Sequence, residues 1–427
     1  MTHFGIICPA LTGHLNPMTT LGDELQQRGH RVTLFGILDA RPQTLAAGLE
    51  FWAIGEAEFP AGASAAANIK LGELSGLAAF KQMVTMFRRS TTMLLDEAPQ
   101  AISAAGVEVL LVDQTSSGGS TVADFLNLPY VTVCCALMLN LELGIPPFNT
   151  TWSYSPAWWA KLRNQFSYQL LARLARPILK IVADRRRQWN LPPYIRPNDP
   201  NSRLAQICQQ PPEFEFPRQY LPQCFHFTGP YSSSNSREPA SFPFEKLTGQ
   251  PLIYASMGTL QNQLIGVFEN IAQACVGLDA QLVTALGGGS NPAALPNLPG
   301  SPLVVGYAPQ LELLQKATLT ITHAGMNTAL ESLSNGVPMV AIPIANDQPG
   351  VAARIAWTGT GEVITLPKLT SSRLQTAIKK VLKEDSYKQN AVRLQSAIRR
   401  AGGVSRAADI VERVAQTGQP VLAQKSN

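Results

Sequence analysis

The stretch YAPQLELLQKATLTITHAGMNTALESLSNGVPMVAIPIANDQ, Tyr307 to Gln348, decides the fold and the chemistry together. Its LTITH run, Leu319 to His323, is β-branched and bounded by polar residues and glycine, which predicts a buried parallel strand. Ala324 and Gly325 form a turn, and Asn327 and Thr328 open a helix. The apolar positions Ala329, Leu330, Leu333 and Val337 recur at helical spacing there, with Gly336 and Pro338 as stop signals. The free N–H groups of such a helix start, with roughly half a positive charge, suit a diphosphate. His323, Asn327 and Thr328 add side-chain donors, and Gly325 lets an anion approach the backbone closely.

Glu331, four residues after Asn327 on the same face, can accept from ribose hydroxyls. The next strand, Pro338 to Pro343, leads to Asp347 and Gln348, which together can accept from and donate to vicinal hydroxyls of a hexose. Ligands of open α/β sheets bind at such carboxyl ends of strands. Upstream, Tyr307 offers a ring for a base to stack on, and the Ala308-Pro309-Gln310 turn exposes backbone groups to its edge. Singly, each is ordinary turn or core; in this order they point to a nucleotide-sugar site.

An aromatic followed by APQ, then THAGMNTALES, GVP and DQ, resembles the donor-binding signature of family 1 glycosyltransferases, in plants the secondary-product glycosyltransferase box. Tyr307 and Met326 stand where the plant pattern has tryptophans, which points to a bacterial branch. DQPGVAARI (Asp347 to Ile355) and VCCALMLN (Val133 to Asn140) resemble the zeaxanthin glucosyltransferase-like branch. The resemblance implies an α/β protein of the GT-B fold, two Rossmann-like domains with parallel sheets facing a central cleft. It implies a UDP-sugar, UDP-glucose above all, as co-substrate and no further cofactor, although Tyr307 leaves thymidine nucleotides open.

The 427 residues suffice for two domains, each with its own core. A 15% charged and 45% hydrophobic composition is that of a globular protein. Cysteines at 8, 134, 135, 208, 224 and 275 show no CxxC spacing, which predicts a reduced protein without structural zinc. The N-terminus has no basic region or long apolar run, and no 18-residue apolar stretch occurs; a cytoplasmic, monomeric protein is expected. The net charge of +5 is uneven. From Thr151 to Asn190 eight basic residues face one acid, Asp184, among four tryptophans. That composition fits peripheral contact with a membrane surface, or simply a long exposed helix; no nucleic-acid partner is expected.

Strand-like runs alternate with helical ones in both halves. The first half has His3 to Cys8, Arg31 to Phe35, Val107 to Val112 and Tyr130 to Cys134, with helices over Pro17 to Arg28, Leu74 to Ala104 and Thr121 to Leu126. The second has Leu252 to Ala255, Gln281 to Thr284, Leu303 to Val305, Leu319 to Thr322, Met339 to Ile342 and Glu362 to Thr365. This spacing predicts βαβ units and parallel sheets. The expected division is an acceptor-binding domain over 1–230, a Ser- and Pro-rich linker over 231–247, and a nucleotide-sugar-binding domain over 248–403. The resemblance implies that the last helix, in 404–427, returns to the first domain. No GxGxxG follows the first strand, and the LGGGS run, Leu286 to Ser290, is expected to be a turn.

Of the five histidines, His14 stands in ALTGHLNP, in a loop beyond the first strand, with Pro17 opening a helix at its first position. The resemblance places the catalytic histidine here. A near-neutral imidazole can take the proton of an acceptor hydroxyl as that oxygen attacks an anomeric carbon. Asp113, ending another strand in EVLLVDQTSSGG, matches the family's partner aspartate and would orient the base. Asp124 is expected to be solvated. Ser256, Gly258 and Thr259, after the first strand of the second half, can add donors to the phosphates. No DxD pair is placed to hold a divalent ion, so a metal-independent single displacement with inversion is implied.

The acceptor side reads only as hydrophobic, with Met83, Phe87, Leu139 and Phe148 as candidate lining residues. A hydroxylated carotenoid is one acceptor class; soluble polyketides and flavonoids are others. Two further classes compete, a nucleotide-sugar epimerase and a non-catalytic sugar-nucleotide-binding protein. The acceptor-side base His14 argues against the epimerase.

Overall fold

The computed structural model describes residues 1–72, 76–233, 240–258, 265–287 and 297–423, with backbone alone for 68–72 and 76–80. Seven parallel strands make the first sheet: β1 (His3–Ile7), β2 (Arg31–Gly36), β3 (Glu50–Ala53), β4 (Val109–Asp113), β5 (Tyr130–Cys134), β6 (Ala205–Cys208) and β7 (Phe225–Phe227). Their spatial order is β3-β2-β1-β4-β5-β6-β7. The helices of this half are α1 (Thr12–Gln27), α2 (Arg41–Ala46), α3 (Ala63–Gly72), α4 (Gly76–Ala105), α5 (Gly119–Leu126) and the long α6 (Trp158–Gln188).

The second sheet contains β8 (Leu252–Ser256), β9 (Gln281–Ala285), β10 (Leu303–Val305), β11 (Ala317–Thr322), β12 (Met339–Ala341) and β13 (Gly361–Val363), in the order β10-β9-β8-β11-β12-β13. Around it lie α7 (Ile265–Cys275), α8 (Gln310–Lys316), α9 (Met326–Ser334), α10 (Gln348–Trp357), α11 (Ser371–Lys383), α12 (Asp385–Ala401) and α13 (Gly403–Thr417). Each central strand is a near-continuous apolar run because helices cover both faces, as β1 and β8 show by being buried throughout.

Three strands, β3, β6 and β7, escape a reading of periodicity. They are three or four residues long, and β3 alternates exposed with half-buried positions at the sheet edge. β6 and β7 pair with each other, Gln206, Ile207 and Cys208 against Phe225, His226 and Phe227, and are too short for a period to show.

Strand order reverses at β1/β4 in the first sheet and at β8/β11 in the second. Crossovers leave on opposite sides there and open a crevice beyond the strand ends, where open α/β sheets bind ligands. An apolar cluster joins the halves, with Leu137 and Phe214 of the first packed among Met326, Leu330, Val351 and Leu394 of the second.

The chain crosses back to the first sheet at Gly402 and Gly403, whose φ of 91° and 62° only glycine adopts readily. Gly403 N–H donates to Thr228 O at 2.6 Å. Beyond this turn, α13 lays Ala407, Ile410, Val411 and Val414 on the core of the first domain, at the spacing of one helical face. Arg28 holds the same helix through Asp409 and Glu412. The segment assigned as a linker is described only outside 234–239, and the LGGGS run only as far as Gly287.

Candidate active site

His14 lies in the first turn of α1 rather than in a loop, and Pro17 is the sixth helical residue rather than the first. A proline near a helix start removes one N–H and costs little when the carbonyl it would have served finds another donor. Here that carbonyl is Gly13 O, and Asn327 Nδ2 of the second domain donates to it at 2.9 Å.

At the first switch point, His14 Nδ1 and Asp113 Oδ2 are 2.8 Å apart. Asp113 is fully buried at the end of β4, and its Oδ1 accepts from the Thr115 N–H at 2.8 Å and the Thr115 hydroxyl at 2.6 Å. The Asp-x-Thr spacing at a strand end was the signal for this turn, and sequence reasoning missed it. Burial pushes the His14 pKa down, but the charge and hydrogen bond of Asp113, with the charge of Asp347, carry it above the usual 6.5. Burial likewise opposes ionisation of Asp113; His14 and the Thr115 donors outweigh it and hold the carboxyl below the ordinary range. An ionised Asp113 fixes the proton on His14 Nδ1 and leaves Nε2 as the acceptor.

His14, Asp113 and Cys135 place ligand-type atoms within 4.8 Å of one another. Burial and the Asp113 carboxylate hold the Cys135 thiol protonated, far above its usual pKa, and both Asp113 oxygens are already engaged. The trio fits an oriented base better than a metal site.

At the second switch point, Ser256 and Thr322 are register partners, and His323 follows. The His323 ring fills space beside two glycines: a Cβ on Gly258 would come 2.6 Å from its Cε1, and one on Gly325 2.5 Å from its Nε2. Gly325 thus serves the histidine as well as any ligand. Burial pushes the His323 pKa down to about 4 against the backbone of Ser256, so the ring is neutral near pH 7. Its Nδ1 is buried and has no hydrogen-bond partner among the described residues. Thr259 lies outside the described residues.

Several predicted donor residues are partly engaged within the protein. Asn327 accepts from Gln209 Nε2 at 2.8 Å while donating to Gly13, so its amide bridges the domains rather than standing free for a phosphate. Glu331 accepts from Gln310 Nε2 at 2.7 Å, and Gln310 in turn accepts from the Tyr254 hydroxyl at 3.1 Å. Gln348 Oε1 accepts from the N–H groups of Ile344 and Ala345 at 2.9 and 3.0 Å, shaping its loop. Asp347 Oδ2 accepts from Leu137 N–H at 2.9 Å, across the domains. Burial raises the Asp347 pKa, opposed by that N–H and by His14.

These groups surround one cavity of about 1510 Å³ between the sheets. It exceeds the roughly 300–1,000 Å³ of an ordinary ligand pocket, leaving room for two substrates. Its second-domain wall holds Ser256, Gly258, Tyr307, Ala308, Gln310 and His323, continuing through Gly325, Met326, Asn327, Thr328 and Glu331 to Asp347 and Gln348. Its first-domain wall includes His14 and all four apolar candidates, Met83, Phe87, Leu139 and Phe148. Asp113 sits beneath His14 and outside the lining.

Two residues given no role from sequence also bind the halves together. Arg354, of the DQPGVAARI run, is buried and donates through Nε to Glu215 Oε2 at 2.9 Å. Glu215 also meets Arg218 and Gln210.

The basic segment before Asn190 is bound differently from its composition. Arg186 is buried, contacting Thr121 and Asp124 at 3.2 and 2.6 Å, so Asp124 is an ion-pair partner rather than a solvated acid. Arg185 pairs with Asp96 and Arg187 with Asp184. Asp96 and Asp124, which claim Arg185 and Arg186, lie far from them in sequence; Asp184 is one helical turn from Arg187.

Two parallel α/β domains facing a shared cleft, with an oriented histidine on one side and a helix-start site on the other, define a GT-B glycosyltransferase. The chain belongs to the UDP-glucoronosyl and UDP-glucosyl transferase family, whose model matches residues 71–402. It is 35% identical to the zeaxanthin glucosyltransferase of Pantoea ananas over 99% of this chain and 98% of that protein. It is 31% identical to the zeaxanthin glucosyltransferase of Pseudescherichia vulneris, over 96% and 98%. Among solved structures, the kitacinnamycin glycotransferase superposes with a TM-score of 0.74 at 22% identity, covering 96% of this chain and 98% of its own. The calicheamicin glycosyltransferase CalG4 gives 0.70 at 21%, covering 98% and 100%. Among the described residues no helix is long and apolar enough to cross a membrane.

Proposed function

We propose that this UDP-glycosyltransferase moves glucose from UDP-glucose to a hydroxyl of a hydrophobic acceptor, a hydroxylated carotenoid. The observation that carries the reading is the His14–Asp113 pair, whose imidazole lines the same cavity as the apolar side chains Met83 and Phe87. The carotenoid class is supported by the two zeaxanthin glucosyltransferases, similar over nearly the whole chain.

In this reading the acceptor oxygen loses its proton to His14 Nε2 and forms a bond to the anomeric carbon. The bond from that carbon to the diphosphate oxygen breaks on the opposite face, inverting the centre, and UDP leaves with the electron pair. Asp113 stabilises the imidazolium. The N–H groups at the start of α9, beside neutral His323, face the charge growing on the leaving diphosphate without a metal ion. The test is UDP-glucose with carotenoid diols, with soluble flavonoid and polyketide acceptors in parallel, products scored by mass spectrometry. A glucosylated carotenoid is expected. Transfer only to the soluble acceptors would overturn the carotenoid assignment, and turnover of UDP-glucose to an epimer would overturn the transferase mechanism.

A further inference from the structure

The helix α6 shows an outward face that none of the described residues covers. Trp158 is 74% exposed, Phe166 71% and Leu162 55%, with Trp159 and Leu170 near half. At 3.6 residues per turn these five positions fall within an arc of roughly 120° and extend about 18 Å along the helix. Arg173 and Arg176 continue the same arc, both exposed and neither in an ion pair among the described residues. Lys161 borders it, also exposed. The neighbouring α4 adds exposed Lys81 and Arg88 and has no acid from residue 81 to 95.

On its inner side the same helix places Leu171, Leu174, Ala175 and Ile178 in the wall of the cavity that His14 lines. One helix therefore carries an exposed ridge, cations beside it and the acceptor-side wall. Aromatic and aliphatic side chains next to unpaired cations complement a surface that is apolar beneath and anionic above.

We infer that the Trp158–Leu170 ridge of α6, with Arg173 and Arg176, docks on an anionic lipid bilayer, so that an acceptor dissolved in the bilayer enters the cavity along α6. The docking stands on this face alone; the entry route rests on the acceptor reading above. The arginines at 185–187, held by acids, take no part.

The test is co-sedimentation of the full chain with vesicles of phosphatidylcholine alone or mixed with phosphatidylglycerol. Binding is expected to the mixed vesicles and to weaken with salt. Each cation at such a surface is worth roughly fivefold, so Arg173→Gln with Arg176→Gln should lose more than about tenfold. Trp158→Ser, Phe166→Ser and Leu170→Ser together should abolish binding while leaving UDP affinity unchanged, since none of them lines the cavity. Equal binding to neutral vesicles, no binding, or full binding by both variants would overturn the docking. So would self-association in lipid-free solution that the triple variant abolishes, since the ridge would then be a contact between copies. Vesicle binding without carotenoid transfer would overturn the acceptor reading alone. Carotenoid transfer in vesicles at an unchanged rate in the triple variant would overturn the docking alone.

Discussion

Asn327 of the second domain donates to the carbonyl of Gly13 in the first, and that carbonyl is free because Pro17, four residues on, has no N–H to offer it. Gly13 precedes His14, so this bond ties the turn carrying His14 to the start of α9. A backbone defect in one domain thus becomes a docking point for the other.

Pro17→Ala should restore the missing donor and let Gly13 O bond within the helix. One hydrogen bond is worth roughly 0.5–1.5 kcal/mol, so turnover should fall by about two- to tenfold. Asn327→Ala should fall further, losing the Gln209 contact as well. Steady-state kinetics of both variants check this; a larger loss in Pro17→Ala than in Asn327→Ala would refute the competition.

His14→Ala should cost roughly 10²- to 10⁴-fold in turnover while UDP affinity, measured by calorimetry, stays close to wild type. The base must be neutral to act, so activity should fall as pH drops through the His14 pKa, which Asp113 and Asp347 hold above 6.5. Asp113→Asn should lower turnover less and move this acidic limb to lower pH. A limb that stays in place would assign it to another group.

His323→Ala should weaken UDP binding, whereas Gln348→Ala should impair the sugar donor and spare free UDP. Equal losses of UDP affinity in the two would merge the subsites. Added EDTA should leave the rate unchanged.

Arg354→Met should strand the Glu215 charge at the domain interface. Breaking a buried pair costs roughly 3–5 kcal/mol, readable as a shift in urea unfolding. Burial disfavours the Glu215 charge, but Arg354 and Arg218 depress its pKa, so its contribution is present above the ordinary carboxylate range and lost as pH falls through the lowered value. In the variant Glu215 should protonate at higher pH, so the penalty relative to wild type should shrink on acidification. A penalty independent of pH would mean packing, not charge, is what Arg354 supplies.

From sequence alone, all six strands of the second sheet and the helix after Gly325 were located, while α7, α8 and α10 to α12 were not. Strand, turn and helix follow one another within residues 317–348, and hydrophobic periodicity with Gly and Pro stops is a local property of the chain. The positions of His14 and Asp113 were legible because each follows or ends a buried apolar strand, their roles only through the family resemblance, and their 2.8 Å contact only in the structure. What local pattern could not carry was partnership across distance. Asn327 and Asp347 read as open donors or acceptors, yet each is engaged by a residue of the other domain, remote in sequence. Arg185 and Arg186 looked like surface until Asp96 and Asp124 met them, while the ridge at 158–170 proved to be what solvent sees. Burial and pairing are decided by which elements pack together, so the sequence determined where the strands end and what chemistry they present. The packing of the two domains determined which of those groups remain free to use it.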